Sequence, residues 1–158
     1  MLPSLVLALA LSAAPKPTVS DGRVPKGVTI AKVEAYSFNA GTTGPSSRGF
    51  CAHLIKSDQT RCATAGPAVV LSEVQRDKLL AMLQDKSTFL AGDSSCWNPH
   101  HAFVLSDSAG VPVTQVNVCF ECEQVSRRGA MSPGGRAGFF GLFVELGLAK
   151  AELASPSP

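Results

Sequence analysis

Apolar and polar side chains alternate along two stretches, Ala102 to Ser106 and Val113 to Phe120, separated by the turn-forming Asp107-Ser108-Ala109-Gly110. A period of two is the signature of strands with one face buried, and a short polar turn between two such strands predicts an antiparallel hairpin. Phe103, Leu105, Val116, Val118 and Phe120 fall on one face. His100, Ala102, Gln115, Asn117 and Cys119 fall on the other. A four-residue loop sets Ser106 opposite Val111 and Val104 opposite Val113. Counting outward, His100 faces Asn117, Asn98 faces Cys119, and Cys96 lies near Glu121. A slip of one residue would exchange the two faces.

The remaining pattern adds a second hairpin, an isolated strand and two helices. Val28 to Phe38 is rich in β-branched and aromatic residues and predicts a strand, and the Gly/Ser/Thr/Pro-rich stretch from Asn39 to Gly49 predicts a loop. Phe50–Ile55 and Arg61–Thr64 flank Ser57-Asp58-Gln59-Thr60, which predicts the second hairpin. Ser72-Glu73-Val74-Gln75 reads as a capping box, in which the Ser72 hydroxyl accepts from a free backbone N–H and Gln75 reaches back. Val74, Leu79, Leu80, Met82 and Leu83 extend that helix to about Asp85. Ser87 to Ser95 reads as a loop. Ser132-Pro133 is an N-cap followed by proline at the first helical position. Phe139, Phe140, Phe143, Val144 and Leu146 supply an apolar stripe, and Gly147 a stop. Gly134, Gly135, Gly138 and Gly141 weaken this helix locally, so packing must hold it. The expected class is α+β: a small antiparallel sheet built from the hairpins and Val28–Phe38, with two helices covering one face.

The ends of the chain differ in character. Leu5 to Leu11 is a short apolar run followed by the small residues Ser12-Ala13-Ala14, which reads as a signal peptide over residues 1–14. The run is too short to span a bilayer, and no other segment is long and apolar enough. Export to a periplasmic or extracellular location is therefore expected, with no membrane insertion after signal cleavage. Residues 15–26 read as a flexible leader, 27–150 as a single globular domain, and 151–158 as a disordered tail. The 158 residues carry a formal net charge of +2, which gives no electrostatic case for nucleic acid or an anionic membrane. Arg127-Arg128, with Arg136 nearby, reads as a solvated cluster.

Candidate chemistry concentrates in Cys96-Trp97-Asn98-Pro99-His100-His101 and Cys119-Phe120-Glu121-Cys122. The chain holds five cysteines, so at least one sulfur is left out of internal pairing. Position along the chain groups Cys51 with Cys62, and Cys96 with Cys119 and Cys122. The first pair suits a disulfide. The second group, completed by His100 or His101, suits a tetrahedral thiophilic metal site, with zinc first and copper also possible. Both Cys119 and Cys122 can reach one ion only if the strand ends near Phe120 and the chain turns. A disulfide from Cys96 to Cys119 or Cys122, leaving one thiol, is the competing expectation. A thiol-redox site on Cys119 and Cys122 is a third. Redox Cys-x-x-Cys pairs usually open a helix, whereas Cys119 closes a strand. A c-type haem needs histidine where Glu123 stands. No specific catalytic signature stands out; His53 reads as a surface histidine, and Trp97 as a core or hairpin-end residue. The function classes carried forward are a metal-binding domain, a thiol-redox or other enzyme, and a structural or interaction domain with disulfides. The protein partner is unknown.

Cys96-x-x-Pro99-His100-His101-Ala102-Phe103-Val104, with Pro112-Val113-x-x-Val116-x-Val118-Cys119-Phe120-x-Cys122, resembles a family of small exported bacterial proteins of uncharacterised function. The likeness extends to Leu71-Ser72-Glu73 and to Leu142–Leu148, roughly the second half of the chain. It differs at Leu105 and Ser106, where the family often carries an aromatic residue and an acid, and Cys51 and Cys62 lie outside it. The resemblance implies export and a shared hairpin site, and it favours His101 over His100 as a ligand. The register alone favours His100.

Overall fold

The computed structural model describes residues 18–42, 45–92, 96–126 and 128–149. The signal peptide and the tail expected from the sequence lie outside these residues. At the centre are β2 (Lys32–Ser37), β5 (His101–Ser106) and β6 (Pro112–Cys119), all antiparallel. Short strands extend the sheet: β3 (Val69–Val70), β7 (Gln124–Val125), β8 (Gly129–Met131) and β4 (Phe89–Leu90), in the spatial order β3-β2-β5-β6-β7-β8-β4. The eighth, β1 (Ser20–Asp21), is parallel and pairs with Thr114 and Gln115 of β6. The expected α+β class therefore holds, as an eight-stranded, predominantly antiparallel sheet with two helices packing together.

The local signals worked where they were strong. Helix α1 (Glu73–Gln84) starts at Ser72 with both halves of the capping box formed. Helix α2 (Pro133–Glu145) starts at Ser132, whose hydroxyl accepts from the Gly135 N–H, and the chain leaves it through Gly147 at φ 70°. A single 3-10 turn, Lys86–Thr88, and β4 occupy ground expected to be loop. Gly135 is required by packing: a Cβ there would strike the Thr88 carbonyl of that turn. Gly141, on the same helix, would meet nothing within 4 Å.

Three expectations are corrected. The central hairpin pairs Val104 with Gln115 and Phe103 with Val116, two residues beyond the counted register. An irregularity at Leu105/Ser106 takes up extra chain near the turn. Because the shift is even, the faces stay as assigned. The hairpin expected around Ser57–Thr60 contributes only one bridge, Ile55 with Arg61, and does not join the sheet. Finally, Ser20 and Asp21 belong to the sheet although they fall in the stretch read as a flexible leader. Two residues are too few to show a period.

The two faces of the sheet are covered differently. Leu79 and Leu83 of α1, with Phe139, Leu142 and Phe143 of α2, pack on Val33, Ala35, Phe103, Leu105, Val116 and Val118. The opposite face, with Tyr36, Ala102 and Val104, is covered by the segment carrying Cys51, Leu54 and Cys62. Among the described residues no helix is long and apolar enough to cross a membrane.

Candidate metal centre

The last residue of β6 is Cys119, and the chain then reverses through Phe120–Glu123 into β7. Glu123 adopts φ 52°, the left-handed conformation that lets so short a connection close. This is the turn that the Cys-x-x-Cys spacing needs. It carries Cys122 back beside Cys119, and the Cys122 N–H donates to the Cys119 sulfur at 3.1 Å.

Cys96 approaches from the segment before β5. The segment is fixed by the Asn98 side-chain amide, which donates to Glu121 at 3.0 Å, and by the Pro99 carbonyl, which accepts from Asn39 at 2.8 Å. The Trp97 indole N–H donates to the Ala52 carbonyl at 2.8 Å. The sulfurs of Cys96, Cys119 and Cys122 lie within 4.8 Å of one another. Cys96 is exposed, whereas Cys119 and Cys122 are buried.

Two disulfides are present, Cys51–Cys62 and Cys96–Cys122, and Cys119 is the free thiol among the described cysteines. The expected partition into one pair and one group of three therefore holds, and within the group the Cys96–Cys122 bond is formed. Burial pushes the Cys119 thiol above its ordinary pKa, while backbone amides of Asn98, Cys122 and Glu121 pull the other way and the Glu121 carboxylate adds to the rise. The sulfur is thus sheltered from water yet surrounded by N–H donors suited to a thiolate.

The histidines stand apart from the sulfurs. The compact group contains neither His100 nor His101. His101 pairs with Val118 and lies on the helix-covered face, edge-on to Phe120 at 5.3 Å and tilted against Phe143 at 4.7 Å between ring centroids. Its Nε2 lies 3.1 Å from the Leu148 carbonyl, to which it can donate. Burial lowers its pKa to about 4, with the Leu148 bond opposing and His100 contributing repulsion. His100 immediately precedes β5, is half-buried, and its carbonyl accepts from the Phe38 N–H at 2.9 Å.

Sequence reasoning missed the residues that position the site. Asn39, fully buried at φ 57°, donates to Cys51 and Pro99 carbonyls and accepts from the Cys51 N–H. One side chain thereby ties the Cys51–Cys62 segment to the approach to β5. An asparagine ending a strand ahead of a Gly-rich loop is a weak sign of this role. No family model, curated protein or solved structure matches the chain.

Proposed function

We propose that this protein is an exported domain that binds a soft metal ion, zinc first, through Cys96, Cys119 and Cys122 when the Cys96–Cys122 bond is reduced. The observation that carries this reading is the convergence of three sulfurs within 4.8 Å on a Cys-x-x-Cys turn. Tetrahedral zinc with bonds near 2.3 Å holds its sulfurs about 3.8 Å apart, so on reduction the bonded Cys96 and Cys122 sulfurs separate while Cys119 stays within reach of both. The thiolate is the ligand form, so the disulfide and the metal exclude one another, and a two-electron reduction by an external dithiol precedes binding. The three-sulfur group leaves one position of a tetrahedral ion for water or an outside ligand. The role is binding rather than catalysis, and the proposed export follows from the apolar N-terminal run.

A second reading has its own observation, the Cys96–Cys122 disulfide. In that reading the bond serves the fold, tying the entry of β5 to the β6–β7 turn. The raised pKa and burial of Cys119 oppose a thiol-redox role, because attack needs an accessible thiolate. Elemental analysis of protein prepared with reductant and without oxygen decides between the two. Near-stoichiometric zinc, lost in Cys119→Ser and in Cys122→Ser, supports the metal site. Metal-free protein in which Cys96 and Cys122 react with thiol reagents, and so are reduced, eliminates it and leaves the structural reading.

A further inference from the structure

An open cavity of about 680 Å³ lies on the loop-covered side of the sheet, lined in part by Asp21, Arg23, His53, Lys56, Ser57 and Gln115. The imidazole in its wall is held by unusual means. Asp21 Oδ2 stands 3.4 Å from His53 Nδ1. Its other oxygen accepts from Ser126 Oγ at 2.6 Å and from the Asn117 side-chain amide at 3.2 Å. That same amide nitrogen lies 3.3 Å from His53 Nδ1. Nδ1 therefore faces both a carboxylate that can accept its N–H and an amide N–H that can donate to its lone pair. In the tautomer where the amide donates, the ring hydrogen sits on Nε2 and is free for another acceptor.

The backbone around His53 is clamped as well. Asn117 Oδ1 accepts from the Leu54 N–H at 2.9 Å. The Gln115 side chain accepts from the Ile55 N–H and donates to the Ile55 carbonyl, both at 2.8 Å. Trp97 flanks the ring at 6.3 Å between centroids. Asn117 is fully buried and Gln115 nearly so. Two strands, β1 and β6, and the loop residues Ser126 and Trp97 thus converge to hold one half-exposed ring at a cavity that also carries Arg23 and Lys56.

We infer that this cavity is a binding site for a small oxyanion, a phosphate or carboxylate group, which accepts from His53 and lies between the Arg23 and Lys56 side chains. The Asp21 carboxylate is turned away from repelling such a guest by its donors Ser126 and Asn117 and by its pairing with the imidazole. Its role is to position His53, and the two exposed cations supply attraction. The site is separate from the sulfur group, so it stands whether or not the metal reading does.

Inorganic phosphate and, in a separate arm, succinate are the probes, titrated into the oxidised protein while amide and imidazole resonances are followed by NMR. The expected result is saturable shifts at Lys56, Ser57 and the His53 ring, with affinity reduced at least about tenfold in Lys56→Gln and in His53→Gln. Both side chains are at least partly exposed, so these variants retain the fold, which the unchanged Phe103 and Phe143 ring signals verify. Saturation with phosphate alone assigns a phosphoryl ligand, and saturation with succinate alone a carboxylate. Linear, unsaturated shifts up to about 50 mM of either probe, or saturation equally strong in both variants, overturn the inference.

Discussion

On the helix side of the sheet, Phe103 stacks on Phe143 at 4.4 Å, and Phe139 and Leu142 fill the space beside them with no exposed surface. On the loop side, buried Asn39, Gln115 and Asn117 hold backbone groups of residues 51–55, and the Cys51–Cys62 bond closes the segment upon itself. Apolar burial is strong but non-directional, so it stabilises a face without fixing any one atom. Hydrogen bonds from buried amides contribute modestly to net stability, yet they set backbone positions to within a few tenths of an ångström and are costly to leave unmade. The helix side gives the molecule its stability, and the loop side gives it positions. Both the sulfur group and the His53 cavity depend on the second.

The comparison breaks most visibly at Phe143. Phe143→Ala should cost about 3–5 kcal/mol, because the ring supports Phe103, Phe120 and His101 together. Urea denaturation measures it, and a loss below about 1 kcal/mol would show that the helix face is not the main source of stability.

The next effect comes from His101, the polar residue set into that apolar face. Its pKa is lowered to about 4, so the native imidazole stays neutral while the unfolded one protonates near 6.5. Stability is full above about pH 6.5, falls as the pH drops toward 4, and levels off below. This difference of about 2.5 pH units corresponds to roughly 3 kcal/mol at most. His101→Gln should flatten the stability profile between pH 6.5 and 4; an unchanged slope would place the ring outside the core.

On the loop side, Asn117→Ala leaves the Leu54 N–H and the Asp21 carboxylate each short of a partner. The expected global loss is about 1–3 kcal/mol. Amide exchange at Leu54 and Ile55 should accelerate more than exchange in β5. Uniform acceleration throughout the sheet would mean that the loop and the core open as one unit.

The smallest effect has the opposite sign. Gly141→Ala adds helix propensity with nothing in its way and should stabilise by about 0.5–1 kcal/mol, read as a rise in Tm. Gly135→Ala gains the same propensity but drives a methyl into the Thr88 backbone, and should destabilise instead. If both variants behave alike, the helix does not pack against the 3-10 turn as described.

The sequence made these regions legible to different degrees. The caps at Ser72 and Ser132 and the alternation in β5 and β6 are local signals, and they located both helices and the central hairpin. Alternation also placed His101 with Phe103 rather than with Cys119, which the resemblance to exported proteins had weighed against. The hairpin register was misjudged because an irregularity beside the turn leaves no mark on composition. The strands of two or three residues carry no period, and β1 was hidden in a polar stretch. The grouping of the five cysteines followed from spacing, but spacing could not choose the Cys96–Cys122 bond, since three neighbouring sulfurs allow several pairings. Asp21 and Asn117 gave no warning, and Asn39 only a weak one, because their partners are distant in sequence.

The pairing of β1 with β6 sets an order of events during synthesis. Ser20 and Thr114 are 94 residues apart, and at ~5–20 residues per second the later partner leaves the ribosome about 5–20 s after the earlier one. Asp21 must wait longer still for Ser126, 105 residues downstream. Until then its carboxylate lacks the partners that hold it against His53, and the cavity has no floor. The anion site is therefore finished only once the chain has been made through Ser126, so that its appearance would report a late step of folding rather than an early one.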